Sequence, residues 1–299
     1  MTSLLSQCPI EDVLPWIPSS QGAGGKLEAN GTAVLLTDCV ETSGRFLLFV
    51  TAASVFRQGN RVLWISFNGA YTVNLIQQGL KKIGCNLPGI EPSRVGAQAK
   101  TSQTPPAKFT DTSGRAAIWS VAPALIELIT KSPNQTDLEN FLRGIYREAK
   151  VWLEAENETD CTIMLDDVST LADVVESRLV YALVHQIRNL ANCRQASLLV
   201  RCSGDNDQTC FTDQPEFIGE ARDEQPAKAL NTAWESSLLE LFDWIADVLP
   251  LQSGYTREAH GRLCLTPRLG TTAQTPVRYN YCCTDQAVFA IRLTPKKII

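Results

Sequence analysis

Histidine is almost missing from this 299-residue chain, which has only His185 and His260. Neither lies near a spaced cysteine pair, so a zinc site is not expected. The ten cysteines never fall in a CxxC spacing and are scattered through strand-like and helix-like segments, which argues against a disulfide scaffold. Reduced thiols in the cytosol or nucleus are the expected state. Cys282 and Cys283 read as packing in or beside a strand, and His185 as an ordinary helix residue. There is no G-x-S-x-G elbow and no H-E-x-x-H pair, the signatures of two large hydrolase classes. No stretch is long and apolar enough to cross a bilayer. The opening MTSLLSQCPIEDVLPW has neither a basic start nor a sustained apolar run, so no secretory signal is expected. Basic charge is also in deficit: 27 Lys and Arg against 32 Asp and Glu give a net charge of -5. Such a chain binds nucleic acid poorly unless its basic residues are gathered locally or supplied by a partner.

What the chain does have is apolar content, 44% of its residues, ample for one large domain or two small ones. Strand and helix patterns alternate through the first two hundred residues. GTAVLLTD (Gly31 to Asp38) reads as a buried strand, and GRFLLFVTAASVFRQGN as a helix stopped by Gly59. RVLWISF (Arg61 to Phe67) is a second strand, and AYTVNLIQQGLKKIG a helix ended by Gly84. A polar segment, Leu87 to Arg115, precedes the strand AAIWSV. DLENFLRGIYREAKVWLEAE is an amphipathic helix with Leu138, Phe141, Leu142, Ile145, Ala149 and Leu153 on one face. CTIMLDD (Cys161 to Asp167) is a fourth strand, SRLVYALVHQIRNLAN a helix and ASLLVRC (Ala196 to Cys202) a fifth strand. Alternation of this kind implies an α/β fold with a mainly parallel sheet covered on both faces. Ser203 to Asn231 is polar and acidic and reads as a mobile loop. GRLCLTP, VRYNYCC and AVFAIRL then read as antiparallel strands extending the sheet edge. Residues 1–30 form an N-terminal extension, and 31–299 a single domain.

One stretch carries a chemical question. LLTDCVETSGRF (Leu35 to Phe46) spans a strand-to-helix junction, where a phosphate loop reads G-x-x-x-x-G-K-[ST]. Its glycines let backbone N–H groups close on phosphate, its Lys reaches the terminal phosphates and its hydroxyl holds magnesium. Here Cys39 stands at the first glycine, Gly44 at the second, Arg45 at the lysine and Phe46 at the hydroxyl. Only Gly44 fits. Phe46 offers no oxygen to a cation that demands oxygen, and the forked Arg45 is no simple replacement for Lys. IMLDD (Ile163 to Asp167) ends an apolar strand in acids, the position from which phosphate-loop proteins hold magnesium. Asp166 and Asp167 therefore match the second nucleotide motif. Together the two motifs suggest a RecA-like three-layer ATPase core whose phosphate loop is degenerate. Helix N-terminal electrostatics still favour an anion near Gly44.

LLTDCVETSGRFLLFVTAASVFRQGNRVLWISFNGAYT, IMLDDVSTL, and SGYTREAHGRLCLTP with VRYNYCCTDQAVFAIRL together resemble the sixth-subunit family of the Elongator complex, in order from about Gly31 to the C-terminus. The GYTREAHGRL segment is the most distinctive. The resemblance implies a RecA-like subunit without a working phosphate loop of its own and without a cofactor. Such a subunit assembles with two paralogous RecA-like Elongator subunits into a six-membered ring. That ring binds tRNA and joins the catalytic Elongator subcomplex, which modifies wobble uridines; its other members are the ones expected to bind or hydrolyse ATP. The long Leu87 to Arg115 segment departs from short versions of the family. By resemblance, the segments starting at Ser169 and at Ser203 would face tRNA, yet Ser203 to Asn231 carries seven acids against two bases. Arg94, Lys100, Lys108 and Arg115 are the locally basic candidates. The alternatives are a divergent phosphate-loop hydrolase or kinase, and an unrelated α/β enzyme using another site.

Overall fold

The computed structural model describes residues 7–17, 31–39, 42–69, 73–87, 91–92, 107–155, 160–204, 237–251, 256, 258–268, 276–284 and 286–292. In chain order the elements begin with β1 (Gln7–Pro9), a 3-10 turn over Ile10–Asp12, β2 (Ala33–Cys39), α1 (Arg45–Arg57), β3 (Arg61–Ser66) and α2 (Val73–Lys82). They continue with β4 (Glu91–Pro92), β5 (Ala107–Thr110), β6 (Ala116–Ser120), α3 (Ala122–Thr130), α4 (Gln135–Glu154) and β7 (Cys161–Asp166). The rest are α5 (Val168–Ala172), α6 (Ser177–Cys193), β8 (Ser197–Gly204), β9 (Trp244–Leu249), β10 (Gly261–Pro267), β11 (Val277–Cys283) and β12 (Val288–Arg292).

The strands form one sheet in the order β1-β12-β11-β10-β9-β2-β8-β7-β3-β6-β5-β4. The six central strands, β9 to β6, are parallel. Both flanks are antiparallel: β10, β11, β12 and β1 on one side, β5 and β4 on the other. Parallel strands need covered faces, which explains why β3 is buried along its whole length. Side chains alternate across the sheet and feed two cores. Ala33, Leu35, Leu63, Ile65, Ile163, Leu165, Leu198 and Val200 pack with α3 to α6. Val34, Leu36, Val62, Trp64, Met164 and Leu199 pack with α1, α2 and residues 10–17. Each aliphatic side chain fully removed from water contributes roughly 1.5–3 kcal/mol, so the two cores together hold the helices on the sheet.

Local chemistry sets the element ends. Gly59 stops α1 with φ +83°, a conformation that glycine adopts without a Cβ clash. α4 starts at a capping box in which Asn134 accepts from the Asp137 N–H and Asp137 accepts from the Asn134 N–H, satisfying two donors the helix cannot satisfy itself. Its predicted apolar face is the buried one, with Leu138 half-buried at its edge.

The architecture corrects the sequence reading in four places. The polar 87–115 segment contributes β4 and β5 to the sheet edge. The segment after Ser237, given no strand by its pattern, supplies β9, the sixth parallel strand. The helices α3 and α5 were not anticipated. Residues 7–17, assigned to an extension, add β1 to the sheet and bury Ile10, Leu14, Trp16 and Ile17. Most of the acidic stretch read as a mobile loop, 205–231, lies outside the described residues. Among those described, no helix is long and apolar enough to cross a membrane, and nine cysteines are free thiols.

Candidate functional site

The strand order sets Asp38 of β2, Arg201 of β8 and Asp166 of β7 side by side where these parallel strands end. The C-terminal edge of such a sheet is where ligands bind in open α/β folds. All three side chains share the sheet face that packs against α1, and Arg45 opens that helix directly above them. Arg201 donates from Nε to Asp38 Oδ2 at 2.8 Å and from Nη1 to Asp166 Oδ1 at 2.7 Å, with Asp167 Oδ2 at 3.6 Å. Arg45 Nε lies 3.1 Å from Asp166 Oδ2 and 3.4 Å from Oδ1. Every member is buried, from 0% exposure at Asp166 to 6% at Asp38.

The loop itself has turned inward. Thr42 N–H donates to the Cys39 carbonyl at 3.0 Å and closes a tight bridge between these residues. The Gly44 N–H, which in a working loop would face phosphate, donates to Asp38 Oδ2 at 2.6 Å. Ser203 Oγ donates to the other Asp38 oxygen at 2.7 Å. A helix N-terminus, an arginine and a hydroxyl thus converge on a carboxylate of the chain itself, with donors of the kind that bind anions. Gly44 has φ -78°, so its role is room. A Cβ there would sit 3.3 Å from Asp38 Cβ and 3.1 Å from Val248 Cγ2. Phe46 packs at a tilt of 33° against Tyr281 of β11 with ring centroids 4.6 Å apart.

Electrostatics explain why the cluster holds. An arginine opening a helix is disfavoured by the helix dipole, and Asp166 offsets that. Asp167 takes the left-handed conformation at φ 68°, which aspartate tolerates better than most residues. Its carboxylate accepts from Asn68 Nδ2 at 2.5 Å and Ser169 Oγ at 2.7 Å. Burial pushes the Asp167 carboxyl up, but the Arg201 charge and the Ser169, Asn68 and Thr170 hydrogen bonds outweigh it and hold the group below its ordinary value. For Arg201, burial opposes the charge, yet Asp166, Asp38 and Asp167 together raise its proton affinity further. Removing one partner of such a buried pair costs about 3–5 kcal/mol. A magnesium ion at Asp166 would have to displace two guanidinium groups. A phosphate at Gly44 would have to displace Asp38 in the presence of two further carboxylates. Among the described residues, no group of three or more His, Cys, Asp or Glu is placed to hold a metal ion.

The structure thus brings Gly44, Arg45, Asp166 and Asp167 together, keeps Cys39 at the rim and turns Phe46 away. Sequence reasoning missed Asp38, Arg201 and Ser203. The available signal was a charge near the end of an apolar strand, as in TAVLLTD and SLLVR, since charged residues are rarely buried without a partner. Of the basic candidates for tRNA, Lys108 is paired with Glu148 at 2.7 Å and lies 5.2 Å from the Trp119 ring centroid. Arg115 rests against Ser113 Oγ at 3.3 Å. Arg94 and Lys100 lie outside the described residues. Compared with models of protein families and with curated proteins, the sequence matches none.

Proposed function

We propose that this chain is a non-catalytic, RecA-like subunit of a hetero-hexameric ring in the Elongator complex, where it supports tRNA binding and wobble-uridine modification in the cytoplasm or nucleus. The observation that carries the reading is the sealed junction, because Arg45 and Arg201 neutralise the acid that would hold magnesium and Asp38 takes the anion position at Gly44. An ATPase fold closed in this way serves as scaffold. The RecA-like assignment draws support from the six parallel strands and from the position of the loop-bearing β2 one strand away from the acid-bearing β7. The resemblance of the segments around the loop, the acidic strand and the C-terminal strands supplies the Elongator context.

The chain's partners are two RecA-like paralogues, the catalytic Elongator subcomplex and, through the assembled ring, tRNA. A divergent hydrolase or kinase would require both arginines to leave Asp166, and no observation favours it. The test is native mass measurement of the chain coexpressed with Elongator RecA-like paralogues. A stoichiometric six-membered assembly is expected. A stable, well-behaved monomer indifferent to both paralogues refutes the reading.

A further inference from the structure

Away from the junction, α4 keeps its two sides chemically apart. Phe141, Leu142, Ile145, Ala149 and Leu153 are buried against the sheet. The outward side carries Arg143, Arg147 and Lys150, all exposed. Spaced four and three residues apart, they share one side of the helix and span about 10 Å of its axis. The acids along the exposed part of the same helix are already engaged. Glu139 accepts from Gln135 Nε2 at 3.1 Å, Glu148 pairs with Lys108 at 2.7 Å, and Glu154 pairs with Arg194 at 3.1 Å. Lys150 reaches Glu154 only at 4.0 Å. Arg143 donates to the neutral amide oxygen of Asn140 at 3.3 Å. Among the described residues, neither Arg143 nor Arg147 forms an ion pair. Like charges one turn apart disfavour a helix, so the stripe costs the fold stability until an anion neutralises it.

We propose that the outward side of α4 binds the phosphate backbone of folded RNA, with Arg143, Arg147 and Lys150 as its cations. In a chain of net charge -5, this is the local gathering of positive charge that nucleic-acid binding requires. Two features favour RNA over an acidic protein. A stable protein interface is anchored by large apolar side chains in its centre, and Val151 is the one such side chain exposed on α4. Asn140 on α4 and Gln186, Asn189 and Asn192 on the adjoining α6 are exposed too, and amides of this kind contact phosphate and sugar oxygens. The inference shares its RNA with the proposed function but needs no ring.

The experiment titrates the full chain alone with a tRNA transcript, by fluorescence anisotropy, at about 50 to 200 mM salt. Arg143→Gln/Arg147→Gln removes two charges and keeps side chains that suit a helix. Lys81→Gln/Lys82→Gln removes two exposed charges from the last turn of α2 and is the matched control. Each phosphate contact contributes about 0.7–0.9 to the slope of log K against log salt, so the α4 variant should lose about 1.4–1.8 of slope. The control should lose less than half of that. Arg143→Lys/Arg147→Lys should keep the wild-type slope, because the slope counts charges.

A wild-type chain that does not bind tRNA at the lowest salt overturns the proposal, as does an equal loss of slope in the two Gln variants. Poly-L-glutamate that displaces tRNA as effectively as unlabelled RNA of equal charge assigns the face to an acidic protein and overturns it as well. Where the α4 variant fails to fold, crosslinking the wild-type chain to tRNA and mapping the attached peptides decides the matter, and no crosslink within residues 140–151 refutes the site. The two readings fail separately. A ring that assembles while the Gln variants bind alike refutes this site alone, and a ring that never forms refutes the proposed function while the α4 comparison stands.

Discussion

Replacing Arg201 with Met probes the buried junction most directly, because the apolar stem is kept and only the guanidinium is lost. In the wild type that group touches Asp38 and Asp166 and lies 3.6 Å from Asp167. Its removal leaves three buried carboxylates with Arg45 as the remaining arginine of the cluster. An uncompensated buried charge of this kind costs about 3–5 kcal/mol, a large part of the 5–15 kcal/mol that typically separates folded from unfolded chains. For a domain of this size, that loss lowers the thermal midpoint by on the order of 10 °C. The deficit should also depend on pH. Asp167 titrates below its ordinary value in the fold. Its contribution is therefore complete above the unfolded value of about 3.9 and is lost as pH falls through the depressed folded value. Without Arg201 the burial of Asp167 meets less opposition, so the folded variant takes up its proton at higher pH than the wild type does. The gap between the two midpoints should narrow as pH falls from 7 through the unfolded value of about 3.9 toward the depressed folded value of Asp167. Differential scanning fluorimetry across that range measures it. A variant melting within about 2 °C of the wild type at pH 7, or a gap that does not change with pH, refutes the account of the cluster. Arg201→Lys should fall between the two, since an ammonium keeps the charge but lacks the fork that spans Asp38 and Asp166.

The purified chain alone should hydrolyse no ATP above background in a phosphate-release assay; turnover that disappears on Asp166→Ala would show that the junction opens. A tRNA titration at several salt concentrations should give weak binding for the lone chain and tighter binding with a steeper salt slope for the assembled ring, because Lys108 is already tied to Glu148 and affinity tracks the number of neutralised phosphates. Equal affinity and equal slope for the two would place the basic surface on this chain.

The parallel heart of the sheet was legible because TAVLLTD, RVLWIS, CTIMLD and SLLVRC are apolar runs of strand length bounded by turn residues, and buried parallel strands have that signature. α4 and α6 were legible from their periodicity, and α1, buried on nearly every side, from the glycine that stops it. β9 was hidden since WIADVL follows the helix-like run WESSLLELF with no Gly or Pro between them, so pattern alone could not see the switch. β5, AKFT, is short and half-exposed, and such edge strands have no clean alternation to display. The site was half legible. Motif spacing located Gly44, Arg45 and Asp166, but no motif says that a loop's own aspartate fills its anion position. That depended on Arg201 and Ser203, more than 160 positions further on, and such a partnership exists only once the sheet is assembled.

The pairing of β1 with β12 bears on how the molecule is made. Cys8 Sγ lies 3.7 Å from the carbonyl of Ala290, across 282 positions of chain. At about 5–20 residues per second of synthesis, these two strands leave the ribosome on the order of 15–60 s apart. During that interval Ile10, Leu14, Trp16 and Ile17 can settle against α1, but β1 has no strand to receive its backbone. It therefore belongs among the last pieces of the sheet to lock, and β1 stays an uncommitted strand throughout the synthesis that separates it from β12.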